Sequence, residues 1–132
     1  MESDERSGAM MSRLLDRAIA ELLGHKLVKP GTEVFGILLP ENDFFKQESE
    51  TAYRRVPNYC EDGNAMLELS REMRARGWLL RLYAYMGYFS ANFFGVTEDM
   101  RYIRNNAKAD ALPEAVALAA YKALTGGKEW SE

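Results

Sequence analysis

Between Asp62 and Thr97 the chain changes periodicity twice, and that switch limits the folds open to it. Asp62 and Asn64 carry short side-chain acceptors suited to the free N–H groups of a starting helix, and apolar residues follow at Ala65, Met66, Leu69 and Met73. Glu68 with Arg71 and Glu72 with Arg76 stand at separations of three and four on the other face, a spacing that predicts ion pairs along the helix. Gly77 then supplies a residue free to adopt the left-handed conformation that ends helices. From Trp78 the period falls to two. Trp78, Leu80, Leu82, Ala84 and Met86 share one face, and Leu79, Arg81, Tyr83 and Tyr85 share the other. Gly87 marks a turn, after which Phe89, Ala91 and Phe93 alternate with Tyr88, Ser90, Asn92, Phe94 and Val96. Both faces of this hairpin carry apolar or aromatic residues, so cover on both sides, at least in part, is expected.

The flanking segments complete an α+β pattern. Met11, Leu14, Leu15, Ala18, Ile19, Leu22 and Leu23 recur at three and four, predicting a helix from Met10 or Met11 to Leu23 that Gly24 stops, with residues 1–8 as a frayed tail. Residues 29–55 form a surface excursion. It opens with the Pro30-Gly31 turn, contains a β-prone run from Glu33 to Leu39, and continues as a polar, mostly acidic loop. Its apolar members, Val34, Phe35, Ile37, Leu38, Leu39, Phe44 and Phe45, are too many for a free linker and call for packing on the body or on a second subunit. Tyr53 to Pro57 is expected to be extended. Met100 to Arg104 reads as a third strand broken by Asn105-Asn106; Asp110 reads as the cap of a last helix with Pro113 in its first turn. Gly126-Gly127 ends that helix and residues 128–132 form a tail. The expected domain is therefore one α+β unit over residues 9–127, an antiparallel sheet of three or slightly more strands packed by helices.

Composition narrows the function classes. A formal charge of −3 argues against binding long nucleic acid, and no apolar run approaches the roughly 18 residues that span a bilayer. The acidic Met-Glu-Ser-Asp-Glu start reverses the order of a secretory signal, and a lone Cys60 makes no internal disulfide, so a cytoplasmic location is expected. His25 and Cys60 are the only residues of their kinds, too few for a zinc site, and fit a helix end and a small semi-buried position better than a Cys-His pair. Thr125-Gly126-Gly127-Lys128 follows a helix instead of preceding one and reads as a C-cap, not a phosphate loop. Glu41, Asp43, Glu48, Glu50, Glu61 and Asp62 suit a solvated acidic surface better than an acid/base pair. No catalytic residue, metal or cofactor is called for.

Charge segregation is the positive signal. Residues 1–63 hold twelve acidic against eight basic side chains, whereas seven basic residues between Arg71 and Lys108 face only three acids and are interleaved with Tyr83, Tyr85, Tyr88 and Tyr102. Arginine matches phosphate as a planar fork and tyrosine offers a stacking face. The candidate site is therefore Arg81, Arg101 and Arg104 on phosphate, with Tyr83 or Tyr85 stacking on a base. The competing expectation is that these arginines pair with helix glutamates and solvate one face, or that the aromatic hairpin builds a homodimer.

Three segments together resemble the phage ABA sandwich domain, a group of small phage-encoded proteins: LDRAIAELLGHK from Leu15 to Lys26, VPNYCEDGNAMLELSREMRARG from Val56 to Gly77 with Trp78 after it, and ADALPEAVALAAYKAL from Ala109 to Leu124. The resemblance covers most of the chain and departs at residues 30–52, which exceed the usual connection. It implies an α/β/α sandwich-like arrangement and a phage or prophage origin, but no agreed activity. From that origin comes the expectation of a non-enzymatic accessory protein in the host cytoplasm. Its expected partner is a host defence protein or a sequestered signalling nucleotide.

Overall fold

A computed structural model of the chain describes residues 2–41 and 43–131, with side chains from residue 12 onward. Three helices, α1 (Glu2–Leu22), α2 (Gly63–Ala75) and α3 (Leu112–Leu124), accompany eight strands. The main sheet is an antiparallel meander of β6 (Leu79–Tyr85), β7 (Tyr88–Val96) and β8 (Tyr102–Ala109), in the order β6-β7-β8. The fold is therefore α+β, with a three-stranded antiparallel sheet and packed helices, as the periodicity predicts.

Pairing of Leu80 with Phe93 and of Phe93 with Asn105 sets the parity of the whole sheet. Leu80, Phe89, Ala91, Phe93 and Ala107 point to the core, together with Ala115, Val116, Ala119 and Ala120 of α3. Helix α3 lies on β7 and β8, α2 packs on α3 and beside β6, and α1 packs on α3 without touching the sheet. Alanines make this stacking possible: with only a methyl group per contact, α3 sits close to the sheet on one side and to two helices on the other. Among the described residues no helix or strand packs against the opposite sheet face, so the cover expected on both sides is found on one. Even the inner face is incompletely roofed, since α2 reaches only the start of β6 and leaves Leu82 exposed.

The excursion is more ordered than its polar sequence suggests. Strands β1 (Lys26–Val28), β4 (Phe45–Gln47) and β5 (Tyr53–Arg55) form a second antiparallel sheet in the order β1-β4-β5, and β2 (Glu33–Val34) pairs with β3 (Ile37–Leu38) as a separate hairpin. Its dock is Asp43, which accepts from Arg13 of α1 at 2.7 Å and from the Phe44 amide at 2.8 Å, and also pairs with Arg55. Val56, Tyr59 and Cys60 then enter the core.

Several local expectations need correction. Residues 2–8, expected to fray, belong to α1. The third strand does not stop at Arg104: Asn105 continues it by donating its side-chain amide to the Phe93 carbonyl at 3.3 Å, while its backbone N–H reaches Asn92 Oδ1 at 3.0 Å. Asp110 does not cap α3; Ala111 occupies that place without a side-chain bond. Residues 128–130 are not a free tail, since Trp130 lies edge-on to Tyr121 at 5.1 Å and packs against the core. Asp62 does cap α2, accepting from the Asn64 amide at 3.1 Å, and Gly77 follows with φ +92°, as predicted. Thr125 is the C-cap of α3, followed by a bond from the Gly127 amide to the Lys122 carbonyl at 2.8 Å.

Candidate functional site

Alternation along three paired strands brings one set of side chains to the uncovered face. Successive rows across the sheet are Leu79-Phe94-Arg104, Arg81-Asn92-Asn106, Tyr83-Ser90-Lys108 and Tyr85-Tyr88. At the centre of this face the middle strand supplies the short Ser90 and Asn92, flanked by the longer Arg81, Tyr83 and Lys108 of the outer strands. A shallow concavity of about 400 Å³ results, lined by Arg81, Tyr83, Tyr85, Tyr88, Ser90, Asn92, Arg104, Asn106 and Lys108.

Its floor is polar and held in place. Ser90 Oγ donates to Asn106 Oδ1 at 2.9 Å, and Asn92 accepts the Asn105 amide. Ser90 and Asn92 are buried although no element covers them, because the taller neighbours shield them. The walls are aromatic: Tyr83 and Tyr85 stack at 6.2 Å between centroids, Tyr85 and Tyr88 at 4.8 Å. Cations lie over aromatic rings of the same face. Arg81 sits 4.5 Å from the Phe94 centroid, Arg104 5.0 Å from Tyr102 and Lys108 5.5 Å from Tyr88. Among the described residues none of the three forms an ion pair, and no acid lines the concavity. Aromatic faces hold a cation by their quadrupole without neutralising it, so the positive charge stays available to an incoming anion.

Of the five candidate residues, Arg81, Tyr83, Tyr85 and Arg104 meet in this concavity. Arg101 does not. It lies in the turn before β8, 82% exposed, and pairs with Asp99 at 3.2 Å. Sequence reasoning misses Asn106 and Lys108 because Asn105-Asn106 reads as a strand break, and misses Ser90 and Asn92, although it places them on the hairpin, because neither is a cation or an aromatic. The alternation Tyr102, Arg104, Asn106, Lys108, carried one turn further, identifies two of them.

The expected helix ion pairs are also redistributed. Glu68 accepts two bonds from Arg54 of the excursion, at 2.9 and 3.0 Å, and that bonding holds its carboxyl below the ordinary range. Glu72 binds His25 Nε2 at 2.8 Å, and Arg76 donates to the Leu23 carbonyl. Arg71 and Arg74 are thus left without an ion pair among the described residues.

The other titratable groups are structural. Cys60 donates to the Ser12 carbonyl at 3.6 Å and burial pushes its thiol far up, which removes thiolate chemistry; it does not meet His25. Glu48 pairs with Arg54 and Lys46, Asp43 with Arg13 and Arg55, and Asp62 is a helix cap, so each of these acids has a structural partner of its own. Among the described residues no three His, Cys, Asp or Glu side chains gather where they could hold a metal ion, and no helix is long and apolar enough to cross a membrane. No family model, curated protein or solved structure matches the chain.

Proposed function

We propose that the uncovered face of the β6-β7-β8 sheet binds an anionic ligand with a planar ring, of the nucleotide class, and that the protein acts by holding it. One observation carries this reading: Arg81, Arg104 and Lys108 surround a polar floor beside a tyrosine stack, with no carboxylate among the lining residues. Phosphate would meet the cations, the base would stack on Tyr85 or Tyr83, and the side-chain amides of Asn92 and Asn106 would donate to sugar or base. The lining holds no carboxylate, histidine or cysteine, which favours binding without turnover. In a phage-encoded accessory protein such retention withdraws a signalling nucleotide from a host defence, without catalysis.

Thermal shift with mono- and dinucleotides tests it, since a ligand at 100 times its Kd adds roughly 2.7 kcal/mol to the folded state. Arg81→Ala and Lys108→Ala should each weaken binding by about tenfold or more, as expected for a lost charged hydrogen bond, and leave the unliganded melting temperature nearly unchanged. Undiminished binding in both variants sinks the proposal.

A second reading is favoured by the excursion. Phe35 is 72% exposed and holds φ +50°, in a hairpin turn position where asparagine is at ease and a bulky side chain is not. With Ile37 and Leu38 exposed beside it, the β2-β3 tip is an apolar arm suited to a partner copy. On this reading a neighbouring molecule supplies the further layer that an α/β/α sandwich needs. Sedimentation should show an oligomer that Ile37→Asp disperses; a monomer at all concentrations rejects the arm.

A further inference from the structure

We infer that the ligand is a dinucleotide, one base on the tyrosine stack and the second in a groove between α2 and the edge of β6. This rests on the nucleotide reading of the sheet face. The groove has a volume of about 540 Å³ and adjoins the concavity on the sheet at Arg81, which lines both. On its α2 side stand Leu67, Arg71 and Arg74, at helical spacing on the stripe that turns away from the core residues Leu69 and Met73. On its β6 side stand Trp78, Leu79 and Phe94. A base entering there meets apolar and aromatic walls; a phosphate meets two more arginines.

The arginines are available for a reason visible in the fold. Glu68, the expected partner of Arg71, is taken by Arg54, and Glu72, expected to pair with Arg76, is taken by His25. Arg54 of the excursion and His25, just past α1, thereby occupy both acids of α2 and leave Arg71 and Arg74 without an ion pair among the described residues. Arg81, stacked on Phe94, stands at the junction of the two recesses, where the phosphate linking two nucleosides would lie. Five cations line the two recesses, Lys108 and Arg104 in one, Arg71 and Arg74 in the other and Arg81 in both, and no acid lines either. A mononucleotide fills one recess and leaves the other charged and open. Joining two nucleosides makes the second contact intramolecular, which raises affinity well above that of either half.

The test compares ADP with the linear dinucleotide pApA, which carries similar charge but a second base, by calorimetry, together with the corresponding G, C and U pairs. Trp130→Phe protein is titrated in parallel, so that Trp78 alone reports by fluorescence. The dinucleotide of at least one base should bind about tenfold or more tighter than its diphosphate and alone change Trp78 emission. The double variant Arg71→Ala/Arg74→Ala, exposed positions outside the tyrosine concavity, should bring the dinucleotide down to diphosphate affinity and leave diphosphate binding unchanged. Equal affinities, or a silent Trp78, overturn the dinucleotide and leave the sheet site standing. Failure of every nucleotide to bind removes both.

Discussion

Asp16 sits on α1 almost without solvent, at 1% exposure, and is held by Arg13 at 2.9 Å and by the Cys60 amide at 3.1 Å. Burial dominates these bonds and raises its pKa above the ordinary 3.8. A carboxyl raised on folding stabilises the native state below its unfolded value, and that contribution is lost as pH rises through the folded value. Asp16→Asn keeps the acceptor for Cys60 and should flatten this decline, so that urea midpoints of variant and wild type diverge as pH climbs from the acid range toward neutrality. Asp43 behaves oppositely. Burial works to raise it, but bonds from Arg13, the Phe44 amide and Arg55 outweigh burial and lower it, so its contribution is present above the ordinary value and fades as pH falls through the lowered one. Asp43→Ala should cost about 2 kcal/mol in denaturant unfolding, below the usual cost of breaking a buried pair because Arg13 retains Asp16 and Asn58.

At the scale of elements, α3 is the helix that everything else packs on. Its Ala120 is fully buried, in a helix that touches α1, α2 and the sheet at once. Ala120→Leu should therefore destabilise by about 1–3 kcal/mol through overpacking, and a thermal melt close to wild type would show that the layers have more slack than their burial implies. Strand β6 presents the reverse case. It is an edge strand, roofed only at its start, and its exposed side chains build both recesses. Helix existence and the hairpin were legible in the sequence because 3.6- and two-residue periods differ plainly. The course of β8 was not, since two asparagines that usually break strands are here bonded across to Phe93 and to Ser90.

For the whole molecule, a net charge of −3 conceals a cationic face. Arg54 and His25 bind the acids of α2, and the sheet turns Arg81, Arg104 and Lys108 to one side. Binding at that face should weaken steeply with salt although the protein as a whole is acidic, because local exposed charge governs the contact. Affinity for a nucleotide that is indifferent between low and physiological ionic strength would point to contacts made by stacking alone.

What the sequence determined by itself was local: the three helices, the glycine stops, the hairpin at Gly87, and the parity that puts Arg81, Tyr83 and Tyr85 on one face. Those follow from backbone sterics and from periodicity over a few neighbouring residues. Tertiary structure decided which face stays bare, that Lys108 joins Arg104 while Arg101 turns to Asp99, and that Arg54 and His25 take the glutamates of α2. Apart from the local Arg101–Asp99 pair, these outcomes depend on pairings between residues 13 to 47 positions apart, where competing partners of equal charge are distinguished only by the packing that brings one within reach.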